Sequence, residues 1–153
     1  DKRLGRFPPV FAEHALAVLC VLRSPQRLSD QVRHALHALR GYKSDTHLAM
    51  RAMVTLAELC EVIREEHRLA VAKHHEQQEQ LEPTLRTPPP EISAWGVPKD
   101  GTDVRLVSTM LDLYPIHRKI AGAGLRAFAS MCRVSDGHLR SIVVDHLRVV
   151  MQA

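Results

Sequence analysis

The stretch Leu48-Ala49-Met50-Arg51-Ala52-Met53-Val54-Thr55-Leu56-Ala57-Glu58-Leu59-Cys60 decides how this chain reads. Ala49, Met53, Leu56, Cys60 and then Ile63 recur at three- and four-residue steps, the spacing that lines up side chains on one face of an α-helix. The same stripe returns 72 positions later, with Ala121 for Ala49, Gly124 for Ala52, Leu125 for Met53, Phe128 for Leu56, Ala129 for Ala57 and Cys132 for Cys60. A looser echo lies 37 positions earlier, with Phe11 for Leu48, Ala15 for Ala52, Leu16 for Met53 and Leu19 for Leu56. These offsets approximate one and two units of roughly 36 residues, within the range of tandem helical repeats. The alternation of small and large residues lets neighbouring helices approach closely and interlock.

Working outward, the periodicity predicts about six helices and no strand pair. The first follows the breaker Phe7-Pro8-Pro9 and runs from about Val10 to Arg23, where Ser24-Pro25 ends it. The second is expected over Asp30 to Arg40, with Ser29 as N-cap, the stripe Val32, Ala35, Leu36 and Leu39, and Gly41 as stop. The third begins at Asp45-Thr46. Its apolar pattern fades after Val71 into Lys73-His74-His75-Glu76-Gln77-Gln78-Glu79-Gln80, a run of helix formers expected to project into solvent or against a partner until Pro83 stops it. The fourth covers Thr102 to Leu113 and closes at Tyr114-Pro115, the fifth covers Ile116 to Arg133, and the sixth, capped by Ser135-Asp136, covers Gly137 to Gln152.

Residues 83–101 carry Pro83, Pro88, Pro89, Pro90, Gly96, Pro98 and Gly101 and read as an irregular linker between an N-terminal part, 1–82, and a C-terminal part, 102–153, of one structural domain. The single Trp95 inside it either pins the linker back onto the helices or offers an anchor to a partner. Trp95 and the histidines of the projecting helix, His67, His74 and His75, are the candidate partner-binding residues.

Composition narrows the function classes. The chain has 153 residues, 45% of them hydrophobic but only 4% aromatic, so Leu, Ala, Val and Met supply a helical core. The formal net charge is +4, with the basic residues scattered singly, a weak pull toward anionic partners. Cys20, Cys60 and Cys132 each fall inside an apolar helical pattern with no CxxC pair, as reduced core cysteines of an intracellular, cytoplasmic protein do. No signal peptide or apolar run of membrane-spanning length is present, so no membrane association is expected. The start at Asp1 and the apolar pattern reaching Ala153 read as a piece of a longer chain.

Ile120-Ala121-Gly122-Ala123-Gly124-Leu125-Arg126-Ala127-Phe128-Ala129 resembles the alanine-rich third helix of an armadillo repeat. The segment from Ser135 to Met151 is similar to the polar turn and helix that open the next repeat, although His146 stands near the family's usual Gly and its groove-lining Asn is absent. The resemblance to armadillo/HEAT-type repeats implies a right-handed α-solenoid and a non-catalytic scaffold that binds other protein subunits in a larger assembly. It implies no binding residues.

Other chemistry finds less footing. His34 with His37, and His67 with His74 and Glu66, share helix faces but lack the third and fourth ligands a zinc site needs, so no metal or other cofactor is expected. There is no H-E-x-x-H, phosphate-binding glycine loop or G-x-S-x-G, and the cysteines lie on apolar stripes, so no enzyme activity is expected. The rival is a helix-turn-helix over residues 128–148, with Ala129, Val134, Leu139 and Ile142 at the packing positions and Ser135, His138, Arg140 and Ser141 facing DNA. Arg133 replaces the usual turn glycine there, and Asp136 and Asp145 would repel phosphates.

Overall fold

The structure, a computed structural model, describes residues 25–96, 101–134 and 137–152. Among these residues the chain is all-helical, with α1 Pro25–Gly41, α2 Thr46–Glu79, α3 Gly101–Leu113, α4 Arg118–Val134 and α5 Gly137–Gln152, two 3-10 turns at Pro83–Leu85 and Ile92–Trp95, and no strand. The helix expected over 10–23, with Cys20, and the cap expected at Ser135-Asp136 lie outside the described residues.

Helix α1 reaches back to Pro25, a full turn before the expected start, so Ser29 lies within it and is no N-cap. Proline is at home in a first turn, and the extra turn brings Leu28 onto the stripe of Val32, Ala35 and Leu39, where it is buried. Gly41 ends the helix as expected. The chain then turns a corner: Tyr42 N–H donates to Ala38 at 3.0 Å, Asp45 N–H to Tyr42 at 3.1 Å and Ala49 N–H to Asp45 at 2.9 Å. The Asp45 carboxylate accepts from Leu48 N–H at 3.0 Å, capping α2 where the sequence places its start.

Helices α3 and α4 repeat that corner. Tyr114 N–H donates to Met110 at 3.2 Å, His117 N–H to Tyr114 at 3.1 Å and Ala121 N–H to His117 at 3.0 Å, each bond 72 residues beyond its counterpart. His117 Nδ1 takes the place of the Asp45 carboxylate and accepts from Ile120 N–H at 3.3 Å. Burial repeats as well. Val32, Ala35 and Leu39 of α1 correspond to Val104, Val107 and Leu111 of α3, and Leu48, Ala52, Leu56 and Leu59 of α2 to Ile120, Gly124, Phe128 and Met131 of α4, all buried. Helix α4 starts at Arg118, two residues after Ile116, the expected start of the fifth helix, because the corner takes up Tyr114 to His117.

The pairing of α2 with α4 is the most extensive helix contact. Glu58 pairs with Arg126, and one turn on Glu61 accepts from Ser130 at 3.1 Å and from Arg133 at 2.6 Å. The partners advance together along both helices, so α2 and α4 run parallel. Helix α5 packs chiefly on α3, with Ile142 3.5 Å from where a Cβ on Gly101 would stand and Val143 buried. One continuous core spans all five helices and Trp95.

The two hairpins differ in how much of them is covered. Helix α2, packed against α1, α4 and the 92–95 turn, also buries Ala49, Met53, Ala57 and Cys60. In α4 the corresponding Leu125 is 49% exposed and Ala129 is exposed, and Leu113 and Ile116 at the preceding corner stand in solvent too.

Candidate functional site

The long α2 carries its polar half beyond the α2–α4 contact, and the Pro-rich segment returns along it. His67 Nε2 lies 2.9 Å from the Pro90 carbonyl oxygen, His74 Nε2 lies 3.2 Å from Thr87 Oγ1, and Thr87 N–H donates to Gln78 Oε1 at 2.7 Å. Two of the three candidate histidines therefore hold a strap of this same chain, while His75 remains exposed. The projection expected at His67 to Gln80 is thus partly clothed from within. Its polar side chains find partners in a segment whose prolines carry no backbone N–H of their own.

Trp95 is 8% exposed and belongs to the core, at the end of a 3-10 turn that contacts α1 and α2. That burial is the arrangement expected of a residue that pins the linker back onto the helices. The following Gly96 has φ 76°, and a Cβ there would stand 2.3 Å from Ser29 Oγ. Only glycine permits both the left-handed backbone and the close approach.

The returning strap encloses one side of a groove of about 440 Å³ whose walls come from α2, the 92–95 turn and the end of α4. Its floor is apolar, from Val71, Ile92 and Val134, and its rim is formed by Arg64, Arg68 and Arg133 with Glu65 and His67. The spacing of α2 supplies this arrangement. Arg64 and Arg68, four residues apart, share a face, and each pairs with a glutamate three residues earlier, Arg64 with Glu61 at 3.5 Å and Arg68 with Glu65 at 2.6 Å.

Glu61 sits between Arg64 of its own helix and Arg133 of α4, so two guanidinium groups share one carboxylate. Burial pushes the Glu61 carboxyl up, but hydrogen bonds from Arg133 and Ser130, with the charges of Arg133 and Arg64, outweigh it and hold the group below its ordinary value. The hydrogen bonds that Arg68 donates to Glu65 likewise lower Glu65 and raise Arg68. Three arginines thus face two carboxylates held below their ordinary pKa, and the rim carries an excess of positive charge.

Sequence reasoning did not find this groove. On α2 each arginine reads as a solvated charge in a local pair, and Arg133 arrives from another hairpin. The one available signal was that Glu61 and Arg133 occupy equivalent places in the 72-residue repeat.

Of the residues assigned to the DNA-binding alternative, Arg140 donates from Nε to the Cys132 carbonyl oxygen at 2.9 Å, closing the end of α4, and Ser141 is exposed. Ser135 and the His138 side chain lie outside the described residues. Among the described residues, no three His, Cys, Asp or Glu side chains converge as metal ligands, and no helix is long and apolar enough to cross a membrane. Comparison with protein-family models, curated proteins and solved structures finds no match.

Proposed function

We propose that this chain is a non-catalytic, protein-binding scaffold, a segment of an armadillo/HEAT-like α-solenoid that works among other protein subunits in the cytoplasm. The observation that carries the reading is the pair of hairpins with the same corner bonds 72 residues apart and their second helices running parallel. Stacking of like hairpins is the principle of a solenoid, in which each unit covers the apolar face of its neighbour and the array offers a long surface to partners. The exposed Leu113, Ile116 and Leu125 support the same reading, because they lie on the hairpin that has no like neighbour beyond it among the described residues.

The test is chemical cross-linking of the full chain in its own cells, followed by quantitative mass spectrometry. A protein partner recovered in fixed stoichiometry, cross-linked to residues of α2 or α4, is the expected result. Recovery of the chain alone, together with salt-sensitive binding to duplex DNA by the purified protein, would overturn the scaffold reading in favour of the helix-turn-helix one.

A further inference from the structure

The arginine-rimmed groove has a composition that specifies what can occupy it. Arg64, Arg68 and Arg133 have side chains more than half exposed, although each is already in an ion pair. A guanidinium offers five N–H donors in a planar fork, and one carboxylate shared by two such groups leaves most of those donors facing solvent. Arg64 meets Glu61 only at 3.5 Å, the outer limit of a hydrogen bond, while Arg133 holds the same carboxylate at 2.6 Å.

The same groove of about 440 Å³ is also lined by Val71, Ile92 and Val134. That volume falls within the range of small binding clefts, roughly 300 to 1,000 Å³. Arginine is also among the residues enriched at protein interfaces and at their energetic hot spots.

We propose that this groove receives an acidic peptide segment of a partner protein, with carboxylates on Arg64, Arg68 and Arg133 and one apolar side chain on the floor of Val71, Ile92 and Val134. The proposal rests on the protein-binding reading and names the chemistry of its partner. Glu61 and Glu65 favour a peptide over a nucleic acid. A phosphate backbone would bring a charge against each of them and no apolar group to Val71, Ile92 and Val134, whereas a peptide has an uncharged backbone and an apolar side chain for that floor. The strap completes the site: the His67 contact with Pro90 holds the chain two residues before Ile92, so the apolar wall stands in place before a partner arrives.

Fluorescence anisotropy of a fluorescein-labelled Glu-Glu-Leu-Glu-Glu-Leu-Glu-Glu peptide with the full chain tests this directly. Binding that weakens with salt is expected, with a loss of about tenfold or more in the double variant Arg64→Glu/Arg68→Glu and no binding of a Lys-Lys-Leu-Lys-Lys-Leu-Lys-Lys control. Arg133 is left intact because it ties α2 to α4, and unchanged circular dichroism of the double variant excludes unfolding as the cause.

Absence of peptide binding by the unmodified chain, equal binding by the double variant, or displacement of the peptide by duplex DNA at lower concentration would each overturn the proposal. The same double variant in the cross-linking experiment separates the two readings. A partner retained in full means that the scaffold stands and the groove is not its site, whereas no partner even for the unmodified chain, together with its salt-sensitive binding to duplex DNA, removes both.

Discussion

The hydroxyl of Tyr114 donates to the carbonyl oxygen of Lys43 at 2.7 Å, joining the corner of the second hairpin to the corner of the first. Residues 42–45 and 114–117 thus touch at one end of the molecule, while Glu61 and Arg133 touch further along the same two helices. Tyr114→Phe removes the corner bond without changing the ring, and because the bond is solvent-exposed the expected cost is about 0.5–1 kcal/mol. Urea denaturation gives the value. A variant as stable as the parent would mean that water replaces the bond fully.

Glu61 makes the α2–α4 pairing sensitive to acid. Its folded-state pKa lies below its ordinary value of 4.5, so its stabilising contribution is present above that value and is lost as pH falls through the lowered one. With a third of the side chain exposed, screening limits the contribution to about 1 kcal/mol or less. Glu61→Gln is therefore expected to be less stable than the parent at neutral pH and equal to it in strong acid. Unfolding curves over a pH series check this, and a gap that stays constant with pH would refute it.

Gly122 and Gly124 look alike in the sequence and should respond in opposite directions to alanine. A Cβ on Gly122 meets nothing within 4 Å, so Gly122→Ala is expected to stabilise the helix by about 0.5–1 kcal/mol. A Cβ on Gly124 would stand 2.7 Å from Leu111 Cδ2 and 3.1 Å from its Cγ, and Leu111 is buried, so Gly124→Ala is expected to cost about 1–3 kcal/mol. Thermal melts of the two variants decide it; a melting temperature raised by both would mean that α3 shifts freely against α4.

Trp95, the only tryptophan, reports whether the strap is docked. Its burial predicts short-wavelength emission in the native protein. Gly96→Ala combines a positive φ with a clash against Ser29, so it should free the strap and move the emission to longer wavelength while helicity by circular dichroism is kept. Unchanged emission in that variant would count against Gly96 as the docking hinge.

The thiols should differ in reactivity. Burial pushes the Cys60 thiol up to about 12, and the charge of Glu61 adds to it. Burial also raises Cys132, against the opposing charge of Arg140, but that residue is only partly covered. Iodoacetamide at mildly alkaline pH, with labelling located by mass spectrometry, is expected to modify Cys132 well before Cys60. The reverse order would show that the α2 core opens more readily than the end of α4.

What this sequence determined by itself is local. Helix type, the start of α2 at Asp45-Thr46, the stop at Gly41 and the stripe of Ala49, Met53, Leu56, Cys60 and Ile63 follow from spacing within a few turns, and the 72-residue echo announced the second hairpin. Local spacing did not place the start of α1, where Ser29 resembled a cap but serves as the small surface under Gly96. Tertiary contact alone decided which face of α2 is covered more than that of α4, that Trp95 turns inward, and that the strap returns to His67 and His74. It also gathered Arg133 beside Arg64 and Arg68. The physical reason is that a helical pattern states which side chains share a face, whereas burial and pairing depend on what another part of the chain brings against that face.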